Sequence, residues 1–359
     1  MHVLGRSDDE TGPVGRLGRY RASDGSDGAP VGVDLDRPHA ALVVGKRGYG
    51  KSYTLGVLAE GGARAAGVAP VVVDPMGALA GLARDADGDP APARVVTSPT
   101  VRADAIPASA WPELFDLDTT GAVGGLVWRA ASAADTLDGM RSTVANADAD
   151  RATRRAAGNH LRLAASWGVF DPDGLDASAL AGGEATVLDL AGVDPAPTNA
   201  VVGAVARALY DARVDGRVDR LPWLLVDEAH VAFDGTAAAA LRTLLTRGRA
   251  PGVGLVAATQ RPGVLPDVAV SQADLLVAHR LTAERDVEAL AAAVPTYLDG
   301  TLRERLPSVP GDAVVVDDAT ETVSGVRVRE RATPHDGAAA RASDGRRPAR
   351  NHDDLIAVE

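Results

Sequence analysis

The segment Gly45-Lys46-Arg47-Gly48-Tyr49-Gly50-Lys51-Ser52 fits the pattern G-x-x-x-x-G-K-[ST]. Few short motifs constrain a fold so tightly. Backbone N–H groups can wrap phosphate oxygens only where several residues adopt unusual dihedral angles, so glycines recur. A Lys at the seventh position reaches the β- and γ-phosphates of a nucleotide, and the following hydroxyl ligates Mg²⁺. The motif functions between a strand and a helix N-terminus, whose dipole favours the anion. Ala40–Val44 is an apolar run that reads as that strand, and 52–66 as that helix. Gly45, Gly48, Tyr49, Gly50, Lys51, Ser52 and Tyr53 are the expected nucleotide-binding set, with ATP and Mg²⁺ as cofactors.

The rest of the chain alternates in the same way. Apolar runs at 69–73, 186–190, 221–226, 252–258 and 274–279 read as strands, with a weaker one at 95–96. Segments 199–213, 236–246 and 282–293 carry helical spacing of apolar residues. Continuous apolar strands alternating with helices predict an α/β fold, its parallel sheet covered on both faces. Residues 107–170 keep helical patterning without a β-branched run and hold Trp111, Trp128 and Trp167. They read as a helical insertion at about 107–176. Segments 312–316 and 322–328 predict a C-terminal hairpin. Residues 1–30 look loop-like, with a short edge strand at 15–20, and 330–359 form a charged tail expected to be mobile. The expected organisation is a short segment at 1–34, a core at 35–329 and the tail.

Composition excludes several chemistries. The chain has 359 residues and no Cys, so disulfide scaffolds, thiolate zinc sites and cysteine nucleophiles are ruled out. No apolar run approaches the roughly 18 residues of a membrane span. The start lacks a signal-peptide stretch, which predicts a soluble cytoplasmic protein. Net charge is −12, from 49 acids against 37 bases, and only two of the bases are Lys. Such an acidic balance ordinarily argues against nucleic acid. An Asp-rich, Lys-poor, aromatic-poor composition also fits a salt-saturated cytoplasm, where charge is screened within roughly 3 Å at about 1 M salt. A halophilic source is the expectation, and under it net charge says little about partners.

Leu221–Val226 ends in Asp227-Glu228-Ala229-His230. Beside a phosphate loop, Asp227 is placed to support Mg²⁺ and Glu228 to orient and polarise the attacking water. His230 either couples hydrolysis to motion or caps the strand. The next strand ends in Thr259-Gln260, polar residues placed to sense the γ-phosphate. Arg249 precedes that strand, at its opposite end. It cannot easily reach its own nucleotide, but it can reach a neighbour's, as an arginine finger does.

Together these residues resemble the HerA/FtsK group of ring-forming DNA-pumping ATPases, HerA-type translocases above all. The resemblance rests on the order of Gly45–Ser52, Val71-Val72-Val73-Asp74-Pro75, Val187-Leu188-Asp189-Leu190-Ala191-Gly192, Asp227-Glu228-Ala229-His230, Gly248-Arg249 and Ala258-Thr259-Gln260-Arg261-Pro262. It extends to Leu306-Pro307, Pro310–Val316 and Arg327–His335, and spans roughly residues 35–336. It implies a RecA-like P-loop core, a homo-hexameric ring, hydrolysis at subunit interfaces and duplex DNA in the pore. By it, Lys51 and Ser52 bind ATP–Mg²⁺, Asp227 supports the metal, Glu228 is the catalytic acid-base group, Gln260 the sensor and Arg249 the finger in trans. Asp74 matches an acidic position that either assists metal or water or caps its strand. Arg280 matches a basic position and is a second interface candidate.

Two features depart from that group. Only about 35 residues precede the core strand, too few for the group's N-terminal β-barrel, which puts docking of a nuclease or other recruiting partner in doubt. The loop also carries Lys46, Arg47 and Tyr49 where small or polar residues are usual; these positions contribute backbone, so ATP chemistry is expected to survive. The acidic motif also spells the DEAH of another helicase group, but no second RecA-like core follows Pro262. The alternatives to a DNA translocase are a nucleotide-dependent switch that does not pump DNA and a viral or plasmid genome-packaging ATPase.

Overall fold

The computed structural model describes residues 1–85, 87–88, 91–291 and 301–335. Its strands are β1 (His2–Leu4), β2 (Val14–Arg21), β3 (Asp27–Asp34), β4 (Ala40–Val44), β5 (Val68–Asp74), β6 (Ala93–Val96), β7 (Ala185–Asp189), β8 (Leu221–Val226), β9 (Gly254–Thr259), β10 (Leu275–Ala278), β11 (Asp312–Asp317) and β12 (Thr322–Val328). They form a 12-stranded sheet in the order β1-β3-β2-β12-β11-β10-β4-β9-β8-β5-β7-β6. From β10 to β6 every neighbour is parallel. The parallel strands β4, β5, β8, β9 and β10 are almost wholly buried because helices cover both faces, which is why they read as unbroken apolar runs, whereas edge strand β6 is half-buried. From β10 outward, β11, β12, β2 and β3 pair antiparallel. Among the described residues no helix is long and apolar enough to cross a membrane.

The register brings strand ends together. Val44 pairs with both Thr259 and Ala278, and Val226 with both Ala257 and Val73. The C-terminal ends of β4, β5, β8, β9 and β10 therefore share one edge, where open α/β sheets bind ligands. Arg249 lies beyond the N-terminal end of β9, at the opposite edge.

One sheet face packs Leu17, Leu55, Leu58 and Trp223, using the helix Lys51–Arg64. The other packs Trp111, Leu126, Met140 and Leu161 from the insertion, with the helix Pro195–Val214. The insertion is helical, as expected: Ala122–Ala133, Leu137–Asn146 and Arg151–Ser166 are its longer helices. Thr136 and Asp150 start the last two by accepting from the N–H of Gly139 and Thr153. Two of the three Phe in this aromatic-poor chain, Phe115 and Phe170, cluster there with Trp111 and Trp167.

The N-terminal expectation holds in part. The strand expected at 15–20 is β2, but it is internal, between β3 and β12, and the flanking residues expected as loop add β1 and β3 to the sheet. A Cβ on Gly18 would run into the Arg327 carbonyl oxygen, and one on Gly61 would lie 3.0 Å from Gly15 Cα. The first approach needs glycine and the second is crowded, and glycine in a strand interrupts the alternation that marks it. The start of the tail is also docked. Arg329 Nη1 lies 2.7 Å from Glu60 Oε2, and Thr333 donates to Glu60 Oε1 from its hydroxyl at 2.6 Å and its N–H at 3.0 Å. The remainder of that expected tail, 336–359, lies outside the described residues.

Beside β4, buried His39 places Nδ1 2.9 Å from Asp274 Oδ2 and Nε2 3.8 Å from Asp34 Oδ2. Burial opposes its charge, but the two carboxylates outweigh it and raise its pKa from 6.5 to about 9. A raised histidine pKa gives stability that is complete below 6.5 and is lost as pH rises through about 9. The urea midpoint, followed by the fluorescence of Trp223 packed edge-on at 5.7 Å, is expected to fall across that window. His39→Asn should flatten the fall; a wild-type midpoint constant from pH 6.5 to 9 would contradict the pairing.

Candidate active site

The loop after β4 has the shape its glycines permit. Gly48 and Gly50 take φ of 81° and 120°, conformations closed to most side chains. Gly45 N–H donates to Thr259 O at 3.3 Å and Lys46 N–H to Arg280 O at 2.7 Å, which fixes the start of the loop between β9 and β10. The helix Lys51–Arg64 begins with no side-chain cap, so its first N–H groups remain available to an anion. Lys51 is buried under the loop. Lys46, the other lysine, places Nζ 4.5 Å above the Tyr49 ring, a cation–π contact that explains a residue the motif does not require.

Ser52 and Asp227 meet across the sheet edge, with Ser52 Oγ donating to Asp227 Oδ2 at 2.6 Å. Asp227 is buried and also accepts the Glu228 N–H at 2.9 Å. Burial raises its pKa, opposed by the Ser52 bond. Among the described residues no group of three or more His, Asp or Glu could hold a metal by itself. One hydroxyl and one carboxylate suit Mg²⁺, which completes its shell with phosphate oxygens and water. The donor set fits that ion.

Glu228 adopts φ of 46°, strained for a non-glycine residue. The turn sends its carboxyl back toward the loop. Burial raises the Glu228 pKa, while Lys51, Arg47 and a Gln260 hydrogen bond pull it down. His230 Nδ1 lies 3.3 Å from Glu228 Oε2 and 3.2 Å from Thr259 Oγ1. Only the Thr259 contact has hydrogen-bond geometry, which leaves Glu228 Oε2 buried and unpaired. Burial, and then Arg261, lowers the His230 pKa. A half-buried carboxylate with a raised pKa and one unpaired oxygen, beside an ammonium and a helix N-terminus, can take a proton from water.

Lys51, Ser52, Asp227, Glu228 and Gln260 thus converge. Asp74 sits beside them, but its carboxylate accepts the N–H groups of Met76, Ala78 and Leu79, which makes it a strand-end cap. Tyr53 turns away: its hydroxyl accepts the Arg331 N–H at 2.7 Å and its ring meets His335 edge-on. Arg249 is exposed in the turn before β9, apart from the cluster. Arg280 is half-buried, with Nε lacking a partner. One neighbour escaped sequence reasoning. His279 lies under the loop, and its only signal was a histidine ending an apolar strand.

Neither a family model nor a curated protein matches the chain. Among solved structures, VirB4 of Thermoanaerobacter pseudethanolicus has a TM-score of 0.66 at 16% identity, covering 90% of this chain and 98% of that one. The plasmid coupling protein TrwB in complex with ADP and Mg²⁺ has a TM-score of 0.57 at 16% identity, covering 92% and 98%. TrwB in complex with the GTP analogue GDPNP has a TM-score of 0.54 at 17% identity, covering 80% and 85%. These likenesses establish the RecA-like P-loop ATPase fold with its largely parallel sheet.

Proposed function

We propose that this protein is an ATPase motor of the HerA/FtsK group, related to VirB4 and TrwB, that works as a homo-hexameric ring on duplex DNA. The observation that carries the reading is the Ser52–Asp227 contact of 2.6 Å, with Glu228 beside it, at the mouth of the phosphate loop. Apposition of loop hydroxyl and strand-end carboxylate is what ATP–Mg²⁺ chemistry needs. The fold likeness to TrwB, whose structure holds ADP and Mg²⁺, supports the choice of ligand.

In this mechanism the loop N–H groups and Lys51 hold the ATP phosphates. Ser52 and Asp227 hold Mg²⁺, which when bound neutralises charge developing on the phosphates. Glu228 orients the attacking water and accepts its proton. Gln260, beside Glu228, reports whether a γ-phosphate is present. Arg249 of each subunit completes its neighbour's site. The acidic surface is a solvent adaptation to a salt-rich cytoplasm laid over this motor. In molar salt phosphate contacts weaken steeply, so encirclement replaces affinity with topology.

The test is ATP turnover with and without duplex DNA in molar KCl, run beside mass determination. The expected result is a ring of about six subunits whose turnover rises with DNA. A monomer with DNA-independent hydrolysis overturns the motor reading in favour of a nucleotide switch.

A further inference from the structure

Resting on the reading of the loop as a nucleotide site, we propose that His279 is the positioning residue that holds the phosphate loop in its anion-binding shape and ties it to the antiparallel extension of the sheet. His279 follows β10 and is fully buried. The residue underlies both ends of the loop, with its Cβ at one and its ring at the other. A Cβ built on Gly45 would lie 2.6 Å from His279 Cβ, and one on Gly50 would lie 3.1 Å from the ring Cε1. The loop backbone therefore rests on this side chain where it leaves β4 and again where it enters the helix.

Both ring nitrogens are committed, and chemistry fixes the tautomer. Nδ1 lies 2.9 Å from the Asp312 carbonyl oxygen, which only accepts, so Nδ1 carries the proton. Nε2 is then the acceptor, and at 2.9 Å it takes the hydroxyl proton of Thr54. Thr54 is in the first turn of the loop helix, where its N–H donates to Gly50 O at 2.8 Å. Burial holds the imidazole neutral, with a pKa lowered to about 4, so this arrangement is constant across the physiological range. With no free nitrogen, His279 transfers no proton. It acts through the loop.

The same contacts reach outward. Asp312 opens β11, and its carboxylate is held by Arg327 of β12 at 2.8 Å and Arg21 of β2 at 3.5 Å. Gly311, the residue before it, donates its N–H to Tyr49 O at 3.3 Å, a second contact from the same turn to the loop. Two hairpins from opposite ends of the sequence thus converge on one turn. His279 carries their position to Gly45, Gly50 and Thr54.

The probe is MgADP, titrated calorimetrically into the full chain in molar KCl. His279→Ala is expected to weaken binding about tenfold or more, since it leaves a buried carbonyl and a buried hydroxyl unpaired and removes the ring that supports Gly50. His279→Asn, whose side-chain amide can still donate to the Asp312 carbonyl, should recover part of that loss. Thr54→Val, which keeps the volume and removes only the donor, should weaken binding about threefold or more. In turnover KM should rise much more than kcat falls, because Ser52, Asp227 and Glu228 are untouched. A merely structural histidine would lower the melting temperature without this split and without separating Asn from Ala. Binding by the Ala variant within twofold of wild type overturns the proposal. If that variant does not fold, an unchanged affinity in Thr54→Val overturns it. A wild-type chain that does not bind MgADP overturns the nucleotide reading itself.

Discussion

Glu228→Gln is expected to lower ATP turnover roughly 10²–10⁴-fold while nucleotide binding is retained. The substitution keeps the size and shape of the side chain and removes the group that accepts the proton from water. The phosphate-holding parts, Lys51 and the Ser52–Asp227 pair, are left intact. Folding should not suffer. A carboxyl whose pKa is raised by burial is one whose charge the folded state disfavours, so a neutral amide should leave the unfolding midpoint near pH 7 equal or higher. The pH profile gives an independent check. A base must be ionised, so wild-type activity should be lost as pH falls through a pKa above the ordinary 4.5. That acidic limb should be absent from the residual activity of the variant. Full turnover in Glu228→Gln would remove Glu228 from the mechanism.

The parts legible in the sequence are those governed by local rules. Strand Ala40–Val44 and the turn into Lys51 were readable because a phosphate loop admits only one order of strand, glycines and helix. Asp227 and Glu228 were readable because an apolar strand ending in two acids is short-range information. The insertion was readable from helical spacing without a β-branched run; caps such as Asp150 emerge only in the structure. What escaped depends on contacts between distant residues. Strand β2 is legible at 15–20, but as an edge strand; its internal place depends on the approach of β12 to Gly18, some 300 positions away. The docking of Arg329–Thr333 depends on buried Glu60, whose partners lie some 270 positions away. Tyr53 follows the motif immediately, yet its direction is decided by the Arg331 backbone. Asp74 shows the converse: its acidic character was visible, but only the turn Met76–Leu79 shows that its oxygens are occupied by backbone N–H groups.

Arg249→Ala is expected to reduce turnover as severely as the loss of an arginine finger does elsewhere, roughly 10³–10⁵-fold, with nearly unchanged folding. The position explains both halves of that expectation. Arg249 is exposed in the turn between the helix Ala238–Arg247 and β9, where no core packing depends on its side chain. Its own Ser52–Asp227 pair lies at the other end of β9, across six residues or about 20 Å of extended chain. An effect on turnover must therefore act on another subunit. Arg247, at the C-terminus of the preceding helix, is the control: Arg247→Ala should change little. Mixing separates action in trans from a local defect. Arg249→Ala and Glu228→Gln chains should each be nearly inactive alone. In a head-to-tail ring assembled from equal amounts of both, roughly a quarter of the interfaces pair an intact Glu228 with an intact Arg249 from the neighbour. Activity should return on mixing toward that fraction. If Arg249 served its own site, every subunit would carry one defect and mixing would restore nothing.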